Sequence, residues 1–137
     1  MAVQRFEDLI IWQEARQICV EIYKEFAKNR DFGFRDQIQR AAVSIMNNIA
    51  EGYDRSKIAN DNKQFISFLN IANGSCGEVK SMLYLSQNLG YISDKEADYL
   101  RNKCLSVTMK IQSLVTMKIQ SLVSTLQENN GKNNRNT

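Results

Sequence analysis

Apolar residues return along this chain at steps of three and four, the period of an α-helix with one buried face. Leu9, Trp12, Ala15, Cys19, Ile22 and Phe26 mark a first helix over about 6–28. Phe34, Ile38, Ala41, Ala42, Ile45 and Ile49 mark a second over about 34–51, and Gly52 is placed to close it with a left-handed cap. Phe65, Phe68, Leu69, Ala72, Cys76, Val79 and Leu83 mark a third over about 62–88. It opens on Asp61 with Gln64 three residues on, the form of a capping box, and closes at Gly90. A fourth starts at the box Ser93-Asp94-Lys95-Glu96, with Leu100, Cys104, Val107, Ile111 and Leu114 as its seam. No segment sustains the period-two alternation of a strand. Four long helices with short connections predict an all-α fold, an up-down-up-down four-helix bundle. Residues 1–127 are read as the bundle, and 128–137, polar and rich in asparagine, as a disordered tail.

The fourth helix contains an exact repeat. VTMKIQSL stands at 107–114 and again at 115–122. Eight residues turn through two circles plus about 80° and add about 12 Å of helix. The heptad seam through Ile111 and Leu114 would continue at Lys118 and Ser121. The apolar line is therefore expected to jump, like a stutter, to Val115, Ile119, Leu122 and Leu126. The extra copy is either an overhang that touches a partner or an insertion tolerated near a terminus, and the second is favoured.

The second helix also carries a polar line: Gln37, Arg40, Ser44, Asn47, Asn48 and Glu51. With so many apolar neighbours, this line predicts a hydrogen-bonded network in a helix or subunit interface. Ser67, Asn70, Ser75 and Glu78 supply a matching set on the third helix. Antiparallel packing would bring Arg40 to Ser75 and Glu78, and an Arg40–Glu78 ion pair is expected. A catalytic cluster of Glu51, Glu78 and Arg40 is the bolder alternative. A structural network is favoured, since such networks also gather charged groups. Gly74 and Gly77, in mid-helix, predict either a close backbone approach or a kink. Leu9 to Trp12 and Met82 to Leu85 are apolar around the whole helix, more than a monomeric bundle buries, and predict homo-oligomerisation.

Composition narrows the chemistry. The 137 residues include no histidine, no proline and three cysteines far apart. Without histidine the commonest general base, neutral metal ligand and nucleophile partner are missing. Without proline long helices run uninterrupted. Cys19, Cys76 and Cys104 form no CxxC pair, so neither a disulfide framework nor a zinc site is expected. No catalytic residue, metal or cofactor is assigned. The N-terminal stretch lacks the pattern of a signal peptide and no run is long enough for a membrane span, so a cytoplasmic protein with no membrane partner is expected.

The net charge of +3 is unevenly spread. Residues 1–98 hold 12 basic and 14 acidic groups, net −2, and residues 99–137 hold six basic groups against Glu128, net +5. Arg101, Lys103, Lys110 and Lys118 are therefore the candidates for phosphate contact. A solvated lysine face is the plain alternative.

FEDLIIWQEA at 6–15, QIQRAAVSIMNNIAEG at 37–52 and FISFLNIANGSCGE at 65–78 closely resemble the hallmark blocks of the 23S rRNA intervening-sequence proteins. The resemblance spans roughly 5–115 and implies a left-handed up-down bundle assembled as a ring-like homopentamer. A relative of the family this chain resembles is the accessory protein of diversity-generating retroelements, which binds nucleic acid and a reverse transcriptase. Arg40, Asn48, Glu51 and Glu78 match the pattern, which assigns them no role. The second octapeptide copy departs from it. Together these readings predict a non-enzymatic homo-oligomeric bundle that binds RNA or a ribonucleoprotein through basic surface. A protein–protein scaffold without nucleic-acid affinity is the alternative.

Overall fold

The computed structural model describes residues 5–135, all of whose regular structure is helical. Residues 1–4 and 136–137, the outer ends of the two segments expected from the sequence, lie outside the described residues. A 3-10 turn over Phe6–Asp8 precedes α1 (Ile10–Phe26), α2 (Phe32–Ala59), α3 (Asn62–Asn88) and α4 (Asp94–Arg135). The first helix is thus shorter than its apolar spacing suggests, because Leu9 has extended backbone between the two elements.

The starts of α2, α3 and α4 are each capped by a side chain, whereas that of α1 is not. Asp31 accepts from the Phe34 amide at 3.2 Å, Asp61 from the Lys63 amide at 2.9 Å, and the Ser93 hydroxyl from the Glu96 amide at 3.1 Å. Each bond satisfies a first-turn donor with no partner in the helix. The cap at Asp61 reaches the second helical residue rather than Gln64. α2 does not stop at Gly52. It runs seven residues further to Ala59, and Asn60, at φ 52°, supplies the left-handed cap. Gly52 is buried in mid-helix against α3, so its lack of a side chain answers a packing demand and not a turn. Gly90, at φ 73°, does close α3 as expected.

Cross-helix contacts fix the order. Phe26 meets Phe34, and Cys19 meets Ala42, so α1 and α2 run antiparallel. Gln37 with Glu78 and Ser44 with Ser75 do the same for α2 and α3. Gln87 with Asp94 joins α3 to α4, and Glu21 with Lys103 and Glu14 with Lys110 return α4 to α1. The backbones of the diagonal pairs, α1 with α3 and α2 with α4, lie further apart than those of neighbouring helices. The result is an up-down-up-down four-helix bundle.

The core follows the stripes read from the sequence, with one shift. Ile11 and Ile18 are buried on α1, whereas Leu9 and Trp12 are only half-buried at its edge. On α4 the last fully buried side chain is Ile111, with Leu114 and Val115 half-buried beyond it. The helix then continues to Arg135, through the segment expected to be a disordered tail. Of the positions expected to carry the apolar line onward, Val115 and Leu122 face the core and Ile119 and Leu126 do not. Lys118 and Leu122 stay half-buried on the core side, while Ile119 and Leu126 are 45% and 57% exposed. A continuous helix carries its register onward whatever residues occupy it. The repeat therefore leaves Val115 and Leu122 beside the core, puts Lys118 between them and turns Ile119 outward.

Candidate interaction surfaces

The polar line of α2 divides into three parts. In the middle the Ser75 hydroxyl donates to Ser44 Oγ at 2.8 Å. The Asn48 amide donates to Ser44 Oγ at 2.9 Å and to the Ser44 carbonyl at 2.7 Å. This is the helix-interface network the sequence predicts, with Ser75 buried. At one end Gln37 Nε2 donates to Glu78 Oε1 at 3.4 Å. The expected Arg40–Glu78 ion pair does not form. Both residues line one surface recess of about 630 Å³ with Gln37 and Ser44, but Gln37 takes the carboxylate and the Arg40 guanidinium is exposed. At the other end Glu51 turns to its own helix and pairs with Arg55 at 2.8 Å, and the Arg55 guanidinium lies 5.3 Å from the Phe68 ring centre. Glu51 thus lies outside the recess, and the catalytic alternative loses one of its three members. Gln37, Arg40 and Glu51 are exposed, whereas Ser44 and Asn48 are half-buried.

Three of the four candidate phosphate contacts are engaged within the chain. The Arg101 side chain is only 12% exposed. It donates to Gln87 Oε1 at 2.8 Å, pairs with Asp98 and lies 4.1 Å from the centre of the Tyr84 ring. Lys103 pairs with Glu21 at 3.3 Å and sits 4.9 Å from the Tyr99 ring centre. Its hydrogen bond with Tyr99 and the Glu21 carboxylate raise its pKa, against desolvation, which lowers it. Lys110 pairs with Glu14. These lysines face α1 because α1 places Glu14 and Glu21 two helical turns apart, in step with Lys110 and Lys103. The basic α4 is thus partly a partner to acids of the slightly acidic body. Lys118 differs: it makes no ion pair among the described residues.

Lys118 lines a recess of about 530 Å³ between α4 and the α2–α3 turn. Tyr53 and Lys57 of α2, Lys63 of α3, and Leu122 and Leu126 of α4 line it as well. The sequence reading missed Lys63 and Lys57. Their signal was weak, since each is a single lysine beside a turn, and only the fold sets them opposite Lys118.

Large apolar side chains lie outside the core. From the two runs singled out in the sequence, Ile10, Tyr84 and Leu85 are exposed, while Ile11 and Leu83 are buried. On α4, Leu105 with Met109 and Ile119 with Val123 form two apolar pairs on one outward face, each residue at least 45% exposed, with the polar Gln112 and Thr116 between the pairs. Gly74 and Gly77 are exposed on α3, with nothing within 4 Å of where a Cβ would sit. Neither makes the close backbone approach within the protomer that their cost would suggest. The three thiols are free and buried, and burial raises their pKa values to about 12 for Cys19, 11 for Cys76 and 12 for Cys104. Among the described residues no cluster of three metal-ligating side chains occurs, and no helix is long and apolar enough to cross a membrane.

A solved structure of a protein of unknown function from the S23 ribosomal protein family of Bacteroides thetaiotaomicron VPI-5482 shares this fold, with a TM-score of 0.68 and 24% identity. The match covers 77% of this chain and 98% of that one. No curated protein matches the chain. The family described as 23S rRNA-intervening sequence protein matches residues 7–113, which take in the bundle and stop before the second octapeptide copy. On that match the chain belongs to the 23S rRNA-intervening sequence protein family.

Proposed function

We propose that this is a non-enzymatic assembly protein, a homo-oligomeric helical bundle whose copies meet through apolar helix faces, in rings of five as the family resemblance implies. The observation that carries it is the exposure of two apolar pairs, Leu105 with Met109 and Ile119 with Val123, on one outward face of α4. Apolar side chains aligned along one solvent face are the mark of a contact surface. Sedimentation velocity tests this. The wild type should sediment as one oligomer, and Leu105→Glu with Met109→Glu should shift it to smaller species. A wild type that is monomeric at tens of micromolar would overturn the reading.

A second reading, association with RNA or a ribonucleoprotein, is favoured by Lys63 and Lys118, cations without carboxylate partners at one end of the bundle. The family's name, tied to sequences within 23S rRNA, supports it. Filter binding of structured RNA at two salt concentrations tests it. Phosphate contact predicts steep weakening with salt, and no retention at low salt would remove this reading and leave a scaffold. Cytoplasmic residence belongs to the same proposal.

A further inference from the structure

The repeat changes which residue occupies one position of the α4 seam. A chain with a single octapeptide copy would carry Leu126 at position 118 and Asn130 at position 122. The apolar seam would then run on through leucine, and the helix beyond would be polar. The second copy instead places Lys118 on the core side and moves leucines out to positions 122 and 126. These three residues form one wall of the 530 Å³ recess, opposite Tyr53, Lys57 and Lys63. That volume lies within the range of small-molecule sites.

We propose that the duplication has built a binding site here for a phosphate monoester on a flat apolar body. This is the chemistry of a nucleoside monophosphate, either free or at the 5′ end of an RNA strand. Lys57, Lys63 and Lys118 all line the recess, and Asp61 is the one carboxylate of its lining. That carboxylate is engaged in capping α3, through the Lys63 amide at 2.9 Å. Lys63 and Lys118 have no ion-pair partner among the described residues, unlike Lys103 and Lys110 on the same molecule. The Lys57 ammonium sits 6.0 Å from the Tyr53 ring centre, so charge and aromatic surface are adjacent. A phosphate would meet Lys63 and Lys118 as point charges, and Tyr53, Leu122 and Leu126 would cover a base and its sugar. Bare phosphate would use only half of these groups. The site deepens the RNA reading above, and its test is separable from it.

Full-length protein is titrated calorimetrically with adenosine 5′-monophosphate, adenosine and inorganic phosphate. In parallel, one short single-stranded RNA is compared with and without a 5′-phosphate by fluorescence anisotropy. Adenosine monophosphate should bind saturably, with adenosine and phosphate each at least about tenfold weaker. Lys118→Leu and Lys63→Ala should each weaken it by about tenfold or more, the scale of a lost charge-assisted contact. Lys118→Leu restores the residue a single-copy chain would carry, so it should fold at least as well as the wild type. A preference for 5′-phosphorylated RNA that disappears in Lys118→Leu identifies a strand end as the source. Its absence, with the mononucleotide still bound, identifies a free nucleotide. Binding in both arms that ignores Lys118, or inorganic phosphate that binds as well as the nucleotide, overturns the proposal. RNA binding that ignores both the 5′-phosphate and Lys118, with no mononucleotide binding, overturns it while leaving the RNA reading intact. Lys118-dependent nucleotide binding without RNA binding does the reverse.

Discussion

Gly52 lies so close to Phe68 that a Cβ at residue 52 would fall 2.4 Å from the Phe68 Cβ. α2 and α3 approach closely here, and the approach depends on a missing side chain. The atom met is itself a Cβ, which moves only with its helix. Gly52→Ala should therefore destabilise the protein by about 1–3 kcal/mol, although alanine is the better helix former by about 1 kcal/mol. Urea denaturation checks this, and a midpoint equal to or above that of the wild type would contradict it.

Gly74 and Gly77 make the opposite case. Nothing lies within 4 Å of either Cβ position, so Gly74→Ala and Gly77→Ala should each stabilise a protomer by about 0.5–1 kcal/mol. If copies meet along this face of α3, the same substitutions should weaken assembly while raising protomer stability. Thermal melts paired with sedimentation separate the two effects, and a fall in stability at concentrations where the protein is monomeric would refute the first.

Arg101 is a structural cation. Its side chain is largely buried against Tyr84 and bonded to Gln87 and Asp98. Arg101→Ala should cost about 1–3 kcal/mol of stability through lost packing and bonds. It should leave any RNA affinity of the folded protein unchanged. Filter binding on material shown to be folded would refute this by finding a large loss of affinity.

Alkaline pH should unfold the protein through its thiols. Burial raises Cys19, Cys76 and Cys104 to about 12, 11 and 12, above the thiol's ordinary value of about 8.5. Between those values the folded state holds protons that the unfolded state has released, so stability falls as pH rises. It is full below about pH 8.5 and is lost progressively toward pH 11–12. Urea midpoints measured from pH 7.5 to 10.5 should decline, and less steeply in Cys104→Ala. Parallel profiles for the two proteins would show that other groups cause the loss.

The periodic spacing of apolar residues was enough to define four helices, their buried stripes from Phe34 to Ile111, and the caps at Asp61, Ser93 and Gly90. These are local matters, decided by which residues share a helix face and which side chain reaches an unpaired amide. Family membership was legible too, in Trp12, in the block from Gln37 to Gly52, and in Gly74-Ser75 with Glu78. What Gly52 does was not legible, because a glycine that ends a helix and one that admits a neighbouring helix look alike in sequence. The partners of charges were equally hidden. Arg40 and Glu78 are near in space, yet Gln37 takes the bond, and the lysines of α4 divide by what α1 sets opposite them. Lys103 and Lys110 find Glu21 and Glu14, whereas Lys118 extends past those acids into the recess beside the α2–α3 turn. Spacing along one helix determines which residues share a face. Only the packing of four helices decides what each face meets, because that depends on side chains far apart in the chain and on the register in which rigid helices lie together.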